Sequence, residues 1–156
     1  MGSGTDQADA GIQCLMVRSG GYRCGIPVAA AKQVATARRL DLVPGSDARL
    51  LGLAQIGGEP VAVVDLHALL DPEGAPGGSH ELTVVIRRGD GTSAIGLAVD
   101  EAFGVALISG VVRRHEADSE VVGGRSEHNG RSVFILDPTI LIAERDSHEK
   151  GAPNAG

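Results

Sequence analysis

The sequence predicts an all-β fold: two small five-stranded barrels in tandem, facing each other across a shared apolar core, with short helices. Three observations carry this. Forty-two per cent of the 156 residues are apolar, yet 23 glycines and seven prolines cut them into short runs. Four turn dipeptides, Gly20-Gly21, Gly57-Gly58, Asp90-Gly91 and Asn129-Gly130, sit between those runs. Tight hairpins need positive φ, which Gly, Asn and Asp supply at little steric cost. The flanks of these turns also recur along the chain. The first and third turns are 70 residues apart, the second and fourth 72.

The first half predicts strands at 12–19, 22–28, 34–43, 51–56 and 60–64, then a helix at 66–70. The second predicts strands at 82–89, 92–99, 104–113, 121–128 and 131–136, then a helix at 138–144. Residues 58–70 align with 130–142 as G-x-x-V-x-[VI]-[VL]-D-x-x-x-L-[LI]. Upstream, Gly25-Ile26-Pro27-Val28 matches Gly96-Leu97-Ala98-Val99, Val34 matches Val105, and Gly52 matches Gly124. Repetition at offsets of 70 to 72 over three segments indicates a duplication. Asp65 and Asp137 end strands and open helices, where a carboxylate accepts the free N–H groups of the first turn. Pro138 then takes the first helical position, where no donor is needed. Halves this small are marginal alone, so the two barrels should pack on each other. The domain would span 12–144: a first half 12–70, a linker 71–80 and a second half 81–144. Residues 1–11 and 145–156 read as disordered tails.

Composition excludes several functions. The net charge is −6, which provides no field for nucleic acid or anionic lipid. Tyr22, Phe103 and Phe134 are the only aromatics, too few for a base-stacking platform. The arginine pairs Arg38-Arg39, Arg87-Arg88 and Arg113-Arg114 read as charged strand ends that limit edge pairing. No apolar run approaches the ~20 residues of a membrane helix, and no signal peptide opens the chain, so no direct membrane insertion and a cytoplasmic location are expected.

The chemistry of catalysis is sparse. A two-residue turn at Gly20-Gly21 places Cys14 opposite Pro27 and Cys24 opposite Val17. The thiols then face opposite sides of the hairpin and read as small core residues, not as a disulfide. His115-Glu116 begins an H-E-x-x-H pattern, but Ser119 stands where the second His belongs. Asp100-Glu101 is an adjacent acid pair whose side chains strand alternation would point to opposite faces. No set of polar groups converges, so the chain reads as a protein-binding module, not an enzyme, with no metal or cofactor.

Over about Leu15 to Ile142 the chain resembles the CheW-like family, the coupling proteins of bacterial chemotaxis. The resemblance rests on Gly25-Ile26, Val34, Val43-Pro44, Leu51-Gly52, Gly58, Val61 through Leu66, Ile95 through Asp100, Val105 and Ile135-Leu136. It implies SH3-like barrels and a non-enzymatic adaptor. The implied partners are the regulatory domain of a histidine kinase and the cytoplasmic tip of a chemoreceptor. A helical receptor tip would dock between the barrels on Val34, Val84 and Val105, with Gly52, Gly58 and Gly96 near the contact surfaces. The chain departs from the family pattern at Gln33 and Gly57, where relatives commonly carry Glu and Arg. That divergence admits an alternative, a stand-alone CheW-like module that regulates a different cytoplasmic signalling protein.

Overall fold

The structure, a computed structural model, describes residues 11–36, 49–74, 81–87 and 94–141. Eleven strands and one short helix follow in order. They are β1 (Ile12–Ser19), β2 (Tyr22–Pro27), β3 (Ala31–Thr36), β4 (Leu50–Ile56), β5 (Glu59–Asp65), α1 (Leu66–Leu70), β6 (Leu82–Arg87), β7 (Ala94–Val99), β8 (Glu101–Ile108), β9 (Val112–Arg113), β10 (Val122–His128) and β11 (Arg131–Leu136). Residues 138–141 are also helical. The Asp90-Gly91 turn, Val43-Pro44, residues 1–10 and 145–156 of the tails and residues 75–80 of the linker lie outside the described residues.

The predicted strand at 104–113 is two strands. It starts earlier, at Glu101, and breaks after Ile108 because Gly110 takes φ +66. One sheet therefore has six strands, in the order β8-β1-β2-β11-β10-β9; the other has five, β3-β6-β7-β5-β4.

The sheets do not follow the division of the sequence. Hairpin β1-β2 of the first half joins β8–β11 of the second, and hairpin β6-β7 of the second joins β3–β5 of the first. Each sheet thus takes strands from both sides of residues 71–80. Each exchange is made by a parallel pair: β2 with β11, Gly25 opposite Ile135, and β5 with β7, Gly96 opposite Val63. Gly25 corresponds to Gly96 and Val63 to Ile135, so the same contact is made twice with the halves interchanged. The bulges repeat as well. Lys32 is the unpaired residue between Ala31 and Gln33, and Phe103 the one between Ala102 and Gly104. Leu51 precedes Gly52, and Gly123 precedes Gly124, in the other two.

Strand alternation divides the buried residues into three clusters. Cys14, Met16, Ile108, Val133 and Ile135 fill the first sheet. Ala54, Ile56, Val61, Val63, Val85 and Ala98 fill the second. The third is the shared seam, where Val17, Cys24 and Ile26 meet Val84, Ile86, Ile95, Leu97 and Val99, closed by Leu66, Leu69 and Leu141. Cys14 pairs with Pro27 and Cys24 with Val17, so the two free thiols lie in different clusters.

Both aspartates cap as their position predicts. Asp65 Oδ1 accepts from His67 N at 3.0 Å, and Asp137 Oδ1 from Thr139 N at 2.9 Å. The acid pair behaves differently. Asp100 stands in a bend just before β8, outside the strand geometry that would separate the two side chains, and both grip one guanidinium. Arg18 Nε meets Glu101 Oε1 at 2.8 Å, and its Nη1 meets Asp100 Oδ2 at 3.3 Å. Asp100 also accepts Gly20 N–H at 2.8 Å, so the pair secures the β1–β2 turn.

Candidate protein-binding groove

The strand exchange leaves β3 at one edge of its sheet and β8 at one edge of the other. The two edge strands correspond in the repeat, and they border one shallow groove of about 200 Å³ over the seam. Val34 on β3 and Val105 on β8 both line it, with Leu15, Val28 and Ala31 beneath and beside them. Their settings match. Val34 lies opposite Val84 in the ladder, and Val105 opposite Leu15. Val34 is 43% exposed and Val105 60%, and Leu107 further along β8 is 50% exposed. Two strand edges that pair with no other described strand, and a strip of exposed aliphatic side chains, thus converge. This is an arrangement a monomer seldom leaves uncovered.

The other expected contact residues are placed differently. Val84 is fully buried in the seam, because β6 is an interior strand. Its side chain supports Val34 and offers no surface. Gly52 is buried at the bulge of β4 with φ +149, a conformation that needs glycine. Gly96 is buried too, with Thr83 and Val63 packed over its α-carbon. Gly58 is exposed, in the β4–β5 turn with φ +83. The turn is tied to the end of β6 by Arg87 Nη2 on Glu59 Oε2 at 2.9 Å, and Arg87 N–H donates to Ala30 O just before β3. Of the six residues, Val34 and Val105 share the groove and Gly58 sits in an exposed turn.

The model of the CheW-like domain matches residues 13–146. The chain belongs to the CheW-like domain family. In fold, this CheW-like chain is similar to the scaffolding protein TtCheW from Thermoanaerobacter tengcongensis, known from a crystal structure. The TM-score is 0.70 at 16% identity, over 81% of this chain and 89% of that one. No curated protein matches the sequence. None of the described helices is long and apolar enough to cross a membrane.

Gln33 is exposed on the β3 bank beside Val34, and Gly57 holds φ +63 in the β4–β5 turn. An arginine in that backbone conformation would carry strain of roughly 1–2 kcal/mol. Sequence reasoning missed Leu15, Val28, Ala31 and Leu107. Leu15 follows from the repeat once the β1–β8 register is known, since it is to Val105 what Val84 is to Val34.

A second polar assembly lies away from the groove and is structural. Arg125 Nη2 and Nε hold Asp118 at 2.6 and 2.8 Å, and His115 N–H adds a bond of 2.9 Å. The Arg125 guanidinium lies 5.1 Å from the Phe134 ring centre, and Phe134 in turn contacts Tyr22. The Arg125 hydrogen bonds hold the Asp118 carboxyl below its usual range, against a smaller opposing effect of burial.

Proposed function

We propose that this CheW-like chain is a non-enzymatic cytoplasmic adaptor in chemotaxis signal transduction. It couples the helical cytoplasmic tip of a chemoreceptor to a histidine kinase through the kinase's regulatory domain. The single observation that carries the reading is the convergence of Val34 and Val105, from two corresponding edge strands, on one aliphatic groove. A helix with an apolar stripe fits such a groove. Membership of the CheW-like family and the fold shared with a scaffolding protein support it.

The test uses the full chain against a receptor-tip fragment and, separately, a kinase fragment carrying the regulatory domain, by calorimetry. Val34→Asp combined with Val105→Asp should weaken the receptor tip by about tenfold or more, since burying a valine is worth about 1.5–3 kcal/mol. The kinase fragment should bind as before. Wild-type chain that binds neither fragment overturns the coupling role.

Gln33 and Gly57 favour a second reading, a stand-alone module for another cytoplasmic signalling protein. Gln33→Glu together with Gly57→Arg distinguishes the two: a gain in kinase binding supports it, and unchanged affinity removes its basis.

A further inference from the structure

At the other end of the first sheet a larger cleft opens, of about 410 Å³. Its floor is apolar, made by Met16, Ala106 and Val133, the outermost part of that sheet's own core. Its walls are Phe103, Arg23 and the turn from His128 to Arg131.

Strand alternation explains the change from floor to wall. On β2, Arg23 shares a face with Gly25; on β11, Arg131 shares a face with Val133 and Ile135. The two strands run parallel, with Gly25 opposite Ile135, so both arginines stand on the interior face at its open end. Arg18 of β1 lies opposite Arg23 and is neutralised by Asp100 and Glu101. Arg23 and Arg131 form no ion pair with any described residue, whereas Arg87 and Arg125 each form one and Arg18 two. No carboxylate lines the cleft among the described residues. In a chain of net charge −6, this is a local reversal of sign.

Phe103 orients one of the two cations. It is the unpaired residue of the β8 bulge, followed by Gly104 at φ +95. A bulge re-aims the side chain it carries. The ring, 46% exposed, lies 4.8 Å from the Arg23 guanidinium. An arginine stacked on an aromatic face keeps its N–H edge available, and that planar fork matches a carboxylate.

We infer that this cleft binds an acidic peptide segment of a partner protein, with carboxylates on Arg23 and Arg131 and an aliphatic side chain over Met16 and Val133. Charge complementarity selects the carboxylates, and the apolar floor between them selects a peptide over a free anion. The cleft adjoins the β3–β8 groove at Val105, which lines both, whereas Arg23, Arg131, Met16 and Val133 line the cleft alone.

Fluorescence anisotropy of a short rhodamine-labelled peptide alternating Glu and Leu, at low ionic strength, tests it with the full chain. Saturable binding is expected, about tenfold or more weaker for the Gln/Leu counterpart and for Arg23→Gln combined with Arg131→Gln. Phe103→Ala should weaken binding with an unchanged circular dichroism spectrum. Arg113→Gln, an exposed arginine on β9, should bind as the wild type does. Absence of saturation, equal affinity for the Gln peptide, or full affinity in the double arginine variant overturns the proposal. Displacement by citrate at the concentration that half-displaces by unlabelled peptide also overturns it, in favour of a small-anion site.

Discussion

Gly96→Ala tests why glycine stands in the middle of β7. Gly96 does not have positive φ, so the requirement is steric. A β-carbon there would meet Thr83 Cγ2 at 2.7 Å and Val63 Cγ2 at 3.2 Å, inside ordinary contact distance. Overpacking a core of this kind costs about 1–3 kcal/mol. Replacing a strand glycine by alanine returns roughly 0.5–1 kcal/mol through the unfolded chain. The net loss should be about 0–2.5 kcal/mol, with about 1 kcal/mol as the central value. Thr83→Ser removes the obstructing methyl, and alone costs about 0.8 kcal/mol for the lost group. Together, the new β-carbon occupies the space the methyl vacates. Gly96→Ala with Thr83→Ser should therefore lie within about 0.5 kcal/mol of wild type, a coupling well outside additivity. Urea denaturation of the four proteins, with equal slopes, measures it. Additive losses would refute the steric account, and a stabilised single variant would refute the close packing itself.

Asp118→Asn should lower the denaturation midpoint at neutral pH and flatten the acid limb of the stability profile. The folded carboxyl is depressed by its bonds from Arg125, so its contribution is present above the unfolded value of about 3.9 and is lost as pH falls through the folded value. Parallel wild-type and variant profiles below about pH 4 would contradict this. Burial pushes Cys14 up to about 11 and Cys24 up to about 12. Neither thiol should react with Ellman's reagent in native protein near pH 8, at which free cysteines react readily. Both should titrate in guanidinium, and fast native reaction of either would show that its cluster opens.

The sequence carries the periodicity and the turns legibly, and with them the alternation that separates Cys14 from Cys24 and the caps at Asp65 and Asp137. It does not carry the choice of partner strand. Because the halves repeat, β2 meets the same aliphatic pattern in β5 as in β11: Val63 and Ile135 are equivalent partners for Gly25. Nothing local distinguishes folding within a half from exchange between halves. The fate of Val84 follows from that choice. Val34, Val84 and Val105 are alike as residues, but only sheet order makes β6 interior and leaves β3 and β8 at edges. Asp100 escapes strand alternation by standing one residue outside the ladder, a boundary finer than periodicity resolves. The cationic cleft needs both the exchange and the bulge at Phe103.

Duplication has a further consequence for the groove. Two corresponding edge strands facing each other would make a groove of twofold symmetry, and a helix laid in it could run either way with equal contacts. The side chains break that symmetry while the backbone keeps it. Val105 and Leu107 on β8 correspond to Val34 and Thr36 on β3, and Lys32, beside Val34 in the groove, has as its counterpart Phe103, which faces the neighbouring cleft. Even the bulges coincide, so the substitution from one bank to the other is of chemistry at fixed geometry. One bank is apolar along its length; the other has a single valine between polar neighbours. A helix docked in the proposed mode would turn its apolar stripe toward β8 and its polar margin toward β3. Reversing it would set polar groups against Leu107 and leave Lys32 facing aliphatic ones, each an unpaired contact. In that mode, specificity of direction would arise from divergence between two copies of one strand, at no cost to the ladder that both copies share.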